Sequence, residues 1–256
     1  MKLQLITRRV THQHAGQWIR QALSLLRHNP VLIGITCLMY LLILLVTMLP
    51  AGPLISVLLM PIVTAGFYQC VVDALQKKTP VASTLFGVFQ QPQARKALLT
   101  LGAVRVACVL PLMLLPQAVT INAELQQFNY DPLALLLVVA YFSFYTMLFA
   151  YAEAIIYFLG ERNIMQALRA SLDSCWKNVL PLTVYGAMLF GGTLLVMLVI
   201  SVVSTVLMPL GMLLFIVCFV VFAPTALISF FLSFRDCFVL TPANAEQDKT
   251  QDTFEV

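Results

Sequence analysis

Six apolar runs of about twenty residues dominate this chain of 256 residues: 31–49, 54–72, 97–116, 133–159, 180–207 and 210–234. A helical run of ~20 residues rises ~30 Å, the thickness of a bilayer's hydrocarbon core. The rest of the composition agrees. With 61% hydrophobic and 10% charged residues, the chain has too little polar surface to enclose a soluble core. A mean hydropathy of +0.92 points to lipid as the solvent. The opening MKLQLITRRVTHQH stays polar for too long to be a secretory leader, and no small-residue cleavage site follows the first run.

The charges are distributed unevenly about these runs. Lys2, Arg8, Arg9, Arg20 and Arg27 precede the first, and Lys77, Lys78, Arg95 and Lys96 lie between the second and third. Arg162, Arg169 and Lys177 lie between the fourth and fifth, and Arg235 and Lys249 follow the sixth. In a six-span topology, fourteen of the fifteen Lys and Arg residues therefore share one face, and the positive-inside rule makes it cytoplasmic, with both termini there. The opposite connections are PAGP at 50–53, MPLG at 208–211 and the stretch 117–132, which carries only Glu124 and Asp131.

The basic segments are themselves patterned. In 16–28, Trp18, Ile19, Ala22, Leu23 and Leu26 fall on one helical stripe, with Gln17, Arg20, Gln21, Ser24 and Arg27 opposite. In 164–177 the apolar set is Ile164, Met165, Leu168, Leu172, Cys175 and Trp176, and a shorter version at 81–89 uses Val81, Leu85, Phe86 and Phe89. Such helices lie at a membrane interface, so Trp18, Arg20, Arg27, Arg169, Trp176 and Lys177 are candidate lipid-interface residues. They serve either as a headgroup or partner-docking surface or as a girdle for the bundle.

An internal repeat emerges from the same segments. His28-Asn29-Pro30 corresponds in position to Lys177-Asn178-Val179, and Pro50 and Gly52 correspond to Pro209 and Gly211. Pro61, Phe67 and Asp73 align without gaps with Pro224, Phe230 and Asp236. Three units of interface helix plus hairpin follow, at about 15–78, 79–160 and 161–240. They are flanked by a cytoplasmic segment at 1–14 and a disordered tail at 241–256.

Arg105 and Glu153 are the formal charges that lie well inside the runs. Ionisable groups there are costly and suggest function. Each lies ~10 Å from the cytoplasmic boundary on consecutive antiparallel spans, so an ion pair is natural. It is either a structural clamp or, with Tyr145 and Tyr151 nearby, a polar binding site. Tyr141, Tyr145, Tyr151 and Tyr157 punctuate the fourth run, and Pro61, Pro111 and Pro224 lie within runs. Gly186, Gly191 and Gly192 suggest close helix approach.

Motifs of hydrolytic and metal chemistry are missing. All three histidines, His12, His14 and His28, precede the first run; no H-E-x-x-H, G-x-S-x-G or phosphate-loop pattern occurs. The six cysteines form no C-x-x-C pair and none lies in an external connection, so neither zinc nor a disulfide framework is expected. No cofactor, metal or catalytic residue is assigned. Membrane lipids are the expected partner, with a protein at the cytoplasmic helices as a further one. Nucleic acid is not expected, because the basic N-terminal segment adjoins an apolar stripe.

The run WIRQALSLLRHNP at 18–30 resembles the pre-span signature of an uncharacterised family of proteobacterial six-span inner-membrane proteins. The turn KKTP at 77–80 leading into VASTLFGVF at 81–89 is similar to that family's second unit. More distantly, the layout resembles the membrane region of some glycerophosphodiester phosphodiesterases. The resemblance implies a bacterial inner-membrane location and carries no activity.

The expected fold is all-α: a polytopic bundle of six transmembrane helices as three parallel-oriented hairpins, each preceded by an amphipathic cytoplasmic helix. The expected function is a non-enzymatic one in envelope maintenance or lipid or small-molecule handling. A specific transporter centred on Arg105 and Glu153 and a scaffold or assembly subunit are the alternatives.

Overall fold

The computed structural model describes residues 3–113, 119–122, 127–130 and 132–242. Among the described residues the chain is mostly helical. The α-helices are α1 (His14–His28), α2 (Val31–Thr47), α3 (Gly52–Leu75), α4 (Pro92–Met113), α5 (Pro132–Phe149), α6 (Ala152–Phe158), α7 (Ile164–Lys177), α8 (Val179–Val206) and α9 (Met208–Cys237). A 3-10 helix spans Ala82–Gln90. Two short antiparallel ladders join β1 (Leu3–Thr7) to β4 (Phe238–Pro242) and β2 (Val119–Asn122) to β3 (Gln127–Tyr130). The chain forms two compact units, Met1–Ile33 with Asp173–Val256, and Gly34–Leu172.

In the first unit, α1 lies against α9 and α8. Ala15, Trp18, Ala22 and Leu26 are buried, at helical spacing, while Arg20 and Arg27 face out. Pro30 cannot continue the helix, and the Asn29 amide closes it onto the Leu25 carbonyl at 2.9 Å. The C-terminal half of α9 supplies the facing core, including Ile228, Phe231 and Leu232, whereas much of its N-terminal half is exposed.

In the second unit, α3 is the central element, packed against α4, the 3-10 helix and α6. A 3-10 helix sets residues i and i+3 on one line, so Leu85 and Val88 are buried while Phe86 and Phe89 point outward. Gly66 and Gly102 make this packing possible. A Cβ on Gly66 would lie 2.1 Å from the Leu85 carbonyl oxygen, and one on Gly102 would lie 2.1 Å from that of Leu58. Both are backbone atoms and cannot rotate away.

Three expectations need correction. The first is the six-span count. Among the described residues, four helical stretches are long and apolar enough to cross a bilayer, namely α3, α5 with α6 (Pro132–Phe158), α8 and α9, or five if α1 and α2 count together across their bend. The shortfall has a physical reason. α2 has 17 residues and so reaches only ~25 Å, and α4 carries Arg95 and Lys96 near its start and Arg105 midway. The second concerns glycine, since nothing lies within 4 Å of a Cβ built on Gly186, Gly191 or Gly192. Close approach falls on Gly66 and Gly102 instead. The third concerns the amphipathic segment at 81–89, which is a 3-10 helix between Pro80 and Pro92 rather than an α-helix. Glu124, Asp131 and the tail beyond residue 242 lie outside the described residues, whereas Thr241 and Pro242 pair in β4.

Overpacking of this kind costs ~1–3 kcal/mol or more. Gly66→Ala and Gly102→Ala should each lower the thermal unfolding midpoint in detergent, and Gly191→Ala should leave it unchanged within a fraction of a kcal/mol.

Candidate functional site

The second unit brings Arg105 of α4 and Glu153 of α6 into a direct ion pair through Nη1 and Oε1, with the carboxylate side chain 7% exposed. The Arg105 Nε donates to the Tyr145 hydroxyl at 3.2 Å, and the guanidinium sits 5.3 Å from the Phe149 ring centroid. One cation is thus held by a carboxylate, a phenol and an aromatic face drawn from α5 and α6. Glu153 lies in the first turn of α6, where the helix dipole also favours an anion.

That turn exists because the helical ladder is interrupted between α5 and α6. In an unbroken helix the Tyr151 amide would bond the Met147 carbonyl. Here the Ser171 hydroxyl of α7 stands between them, accepting from the Tyr151 N–H at 3.0 Å and donating to the Met147 carbonyl at 3.0 Å. A side chain inserted into the ladder breaks a helix at that point, and the same hydroxyl satisfies both freed groups. Ser171 is fully buried, so no water replaces it. The break turns Glu153 into a helix N-terminal residue, and Arg105 neutralises it.

The tyrosines take different parts. Tyr145 touches Arg105, whereas Tyr151 is fully buried and its backbone amide, not its phenol, meets Ser171. Tyr141 donates to the Cys108 carbonyl at 2.7 Å, one turn before Pro111. Tyr157 accepts from Gln91 at 3.4 Å.

The interface residues also divide. Trp18 is completely buried rather than set among headgroups. Its indole N–H donates to Asp236 at 2.8 Å, and its ring meets Tyr185 edge-on at 5.8 Å. Arg20, Arg27 and Arg169 are exposed, as is Trp176 at 74%. Lys177 pairs with Asp173 at 2.7 Å and donates to the Thr7 hydroxyl at 2.9 Å.

Ser171 and Phe149 escaped the sequence reading, and Asn178 and Asp236 entered it only as positions of the repeat. Asn178 is fully buried and acts as a staple. Its Nδ2 donates to the Arg8 and Ser174 carbonyls at 2.9 and 3.0 Å, and its Oδ1 accepts from the Val10 amide at 2.7 Å. Its position in the repeat offered a signal, since Asn29 likewise reaches the carbonyl four residues back. Ser171 could be suspected from its place between Ala167 and Cys175, on a stripe of small residues facing inward. Burial, with the neighbouring Cys237 thiol adding to it, pushes the Cys175 thiol up to about 12, so it stays protonated and unreactive.

No family model, no curated protein and no solved structure matches the chain.

Two sets of variants probe this arrangement. Removing one partner of a buried ion pair costs ~3–5 kcal/mol, whereas replacing both by apolar residues can be neutral. Arg105→Met alone should therefore destabilise strongly, and Arg105→Met with Glu153→Leu should recover most of the loss in denaturant unfolding. Ser171→Ala leaves the Met147 and Tyr151 backbone groups unpaired or forces the ladder to close, and should cost ~1–3 kcal/mol in the same assay. Ser171→Thr, which keeps the hydroxyl, should cost less.

Proposed function

We propose that this chain is a multi-pass protein of the bacterial inner membrane with both termini in the cytoplasm, and that it handles lipids or other small molecules in envelope maintenance without being an enzyme. The observation that carries the membrane reading is α8, which is apolar along its length yet exposes Phe190, Leu194, Leu195 and Leu198 among its large side chains. A helix that is apolar all round and leaves most of its large side chains exposed is stable only where its solvent is hydrocarbon. The first half of α9 and α5 expose large apolar side chains in the same way, among them Leu213, Ile216, Leu136 and Phe142.

The β1–β4 ladder supports the placement of the termini. Leu3–Thr7 and Phe238–Pro242 are hydrogen-bonded partners, which favours both of these segments lying on one side of the membrane. Arg8, Arg9 and Arg235 stand beside that ladder, and positive charge marks the cytoplasmic face. The resemblance of residues 18–30 to a proteobacterial inner-membrane family agrees with this location.

The Arg105–Glu153 pair favours handling at the membrane surface over coupled transport. Its charges are spent on one another, and its neighbours join α4 to the break between α5 and α6. The pair is a clamp.

The test is fractionation with terminal reporters. The chain should stay in membranes through alkaline carbonate, and a C-terminal green fluorescent fusion should fluoresce while a C-terminal alkaline phosphatase fusion stays inactive. Release by carbonate, or an active phosphatase fusion, would overturn the reading.

A further inference from the structure

The geometry points to a phosphate-binding cleft at the terminal end of the first unit, built by Arg8, Arg9 and Arg235 beside the N-terminal end of α1. It takes a phosphate group, either the headgroup of an anionic phospholipid or a free phosphate. The lipid source rests on the membrane reading above.

The cleft has a volume of about 350 Å³ and is lined by the three arginines together with His14, Gln17 and Gln21. That is the lower end of the range for small-ligand sites. Three arginines and one carboxylate, Asp236, line the cleft, and that carboxylate is already engaged. It accepts from the Trp18 indole at 2.8 Å and lies 3.5 Å from the Arg235 Nε. Among the described residues neither Arg8 nor Arg9 enters an ion pair. The cleft therefore carries uncompensated positive charge. His14 and Gln17 belong to the first turns of α1, whose dipole directs further positive potential there.

The arginines stand on a fixed backbone, which separates this cleft from an ordinary basic surface. The Arg8 amide donates to the Cys237 carbonyl at 2.8 Å. Asn178 holds the Arg8 carbonyl at 2.9 Å and the Val10 amide at 2.7 Å, so the segment bearing Arg8 and Arg9 is bonded on both sides. Arg235 is steadied from across the cleft by Gln21, whose Oε1 accepts from Nη2 at 3.3 Å. Guanidinium forks carried on such a backbone suit phosphate oxygens, to which arginine donates pairs of parallel hydrogen bonds. Residues 8 and 9 are far from residue 235 in sequence, and the β1–β4 ladder brings them together.

The test uses the full chain in an uncharged detergent, with thermal unfolding midpoints titrated against two probes. Inorganic phosphate is compared with chloride at equal ionic strength, and short-chain phosphatidylglycerol is compared with phosphatidylcholine. A saturable rise in midpoint is expected, and Arg8→Gln with Arg9→Gln should weaken it by on the order of tenfold or more, as loss of charge-assisted bonds requires. A rise with both probes, or with phosphate alone, identifies phosphate as sufficient. A rise with phosphatidylglycerol alone identifies the lipid headgroup as the source. If the double variant does not fold, Arg235→Gln is read in its place with the same expectation. No rise with either probe, or a rise undiminished in the folded variant, overturns the proposal. Alkaline carbonate extraction of the membranes before they are solubilised separates the two failures, because a chain that stays in the membrane yet ignores both anions loses the cleft and keeps the membrane reading.

Discussion

A helix that is apolar on every side has no inward face of its own, and that constraint governs everything else in this protein. In hydrocarbon there is no hydrophobic drive to push such helices together, so packing depends on close backbone contact and on polar groups that must find partners. The structure concentrates both. Gly66 and Gly102 let carbonyls of neighbouring elements come within touching distance of α3 and α4. Elsewhere single polar side chains do the joining: Asn178 for the N-terminal segment, Trp18 with Asp236 for α1 and α9, and Arg105 with Glu153 for α4 and α6.

The break between α5 and α6 shows how one residue can decide a local structure. A hydroxyl on α7 takes the place of one rung of the helical ladder and completes both ends of it. The chain then restarts at a new helix N-terminus, where a carboxylate is stabilised by the dipole and by an arginine. The two charges that the sequence offers as either a clamp or a polar binding site meet at this joint.

Much of this was legible in advance at the level of elements. The stripe of Trp18, Ala22 and Leu26 announced α1, and buried Arg105 and Glu153 announced one another by their equal depth. The correspondence of Asn29 with Asn178 foretold two elbows with the same backbone bond. The errors share a cause. Periodicity says which residues are apolar but not what covers them, so it leaves Trp18 open to a docking surface or a girdle although α9 covers it, and Gly191 reads as a contact although nothing approaches it. Length along an apolar run likewise does not reveal that α2 ends at Thr47 or that Ser171 interrupts the fourth run.

The sequence by itself determined the solvent, because no arrangement of a chain this apolar hides its side chains from water, and it determined which segments carry the charge. It could not determine which charges meet. Arg8 and Arg9 are separated from Arg235 by more than two hundred residues, and only the pairing of β1 with β4 lines them along one cleft. The same holds for Ser171, whose hydroxyl has a role only once α7 lies against the break. Local pattern sets what each segment prefers, while the partners of polar groups are chosen by contacts remote in sequence, and those exist only in the folded chain.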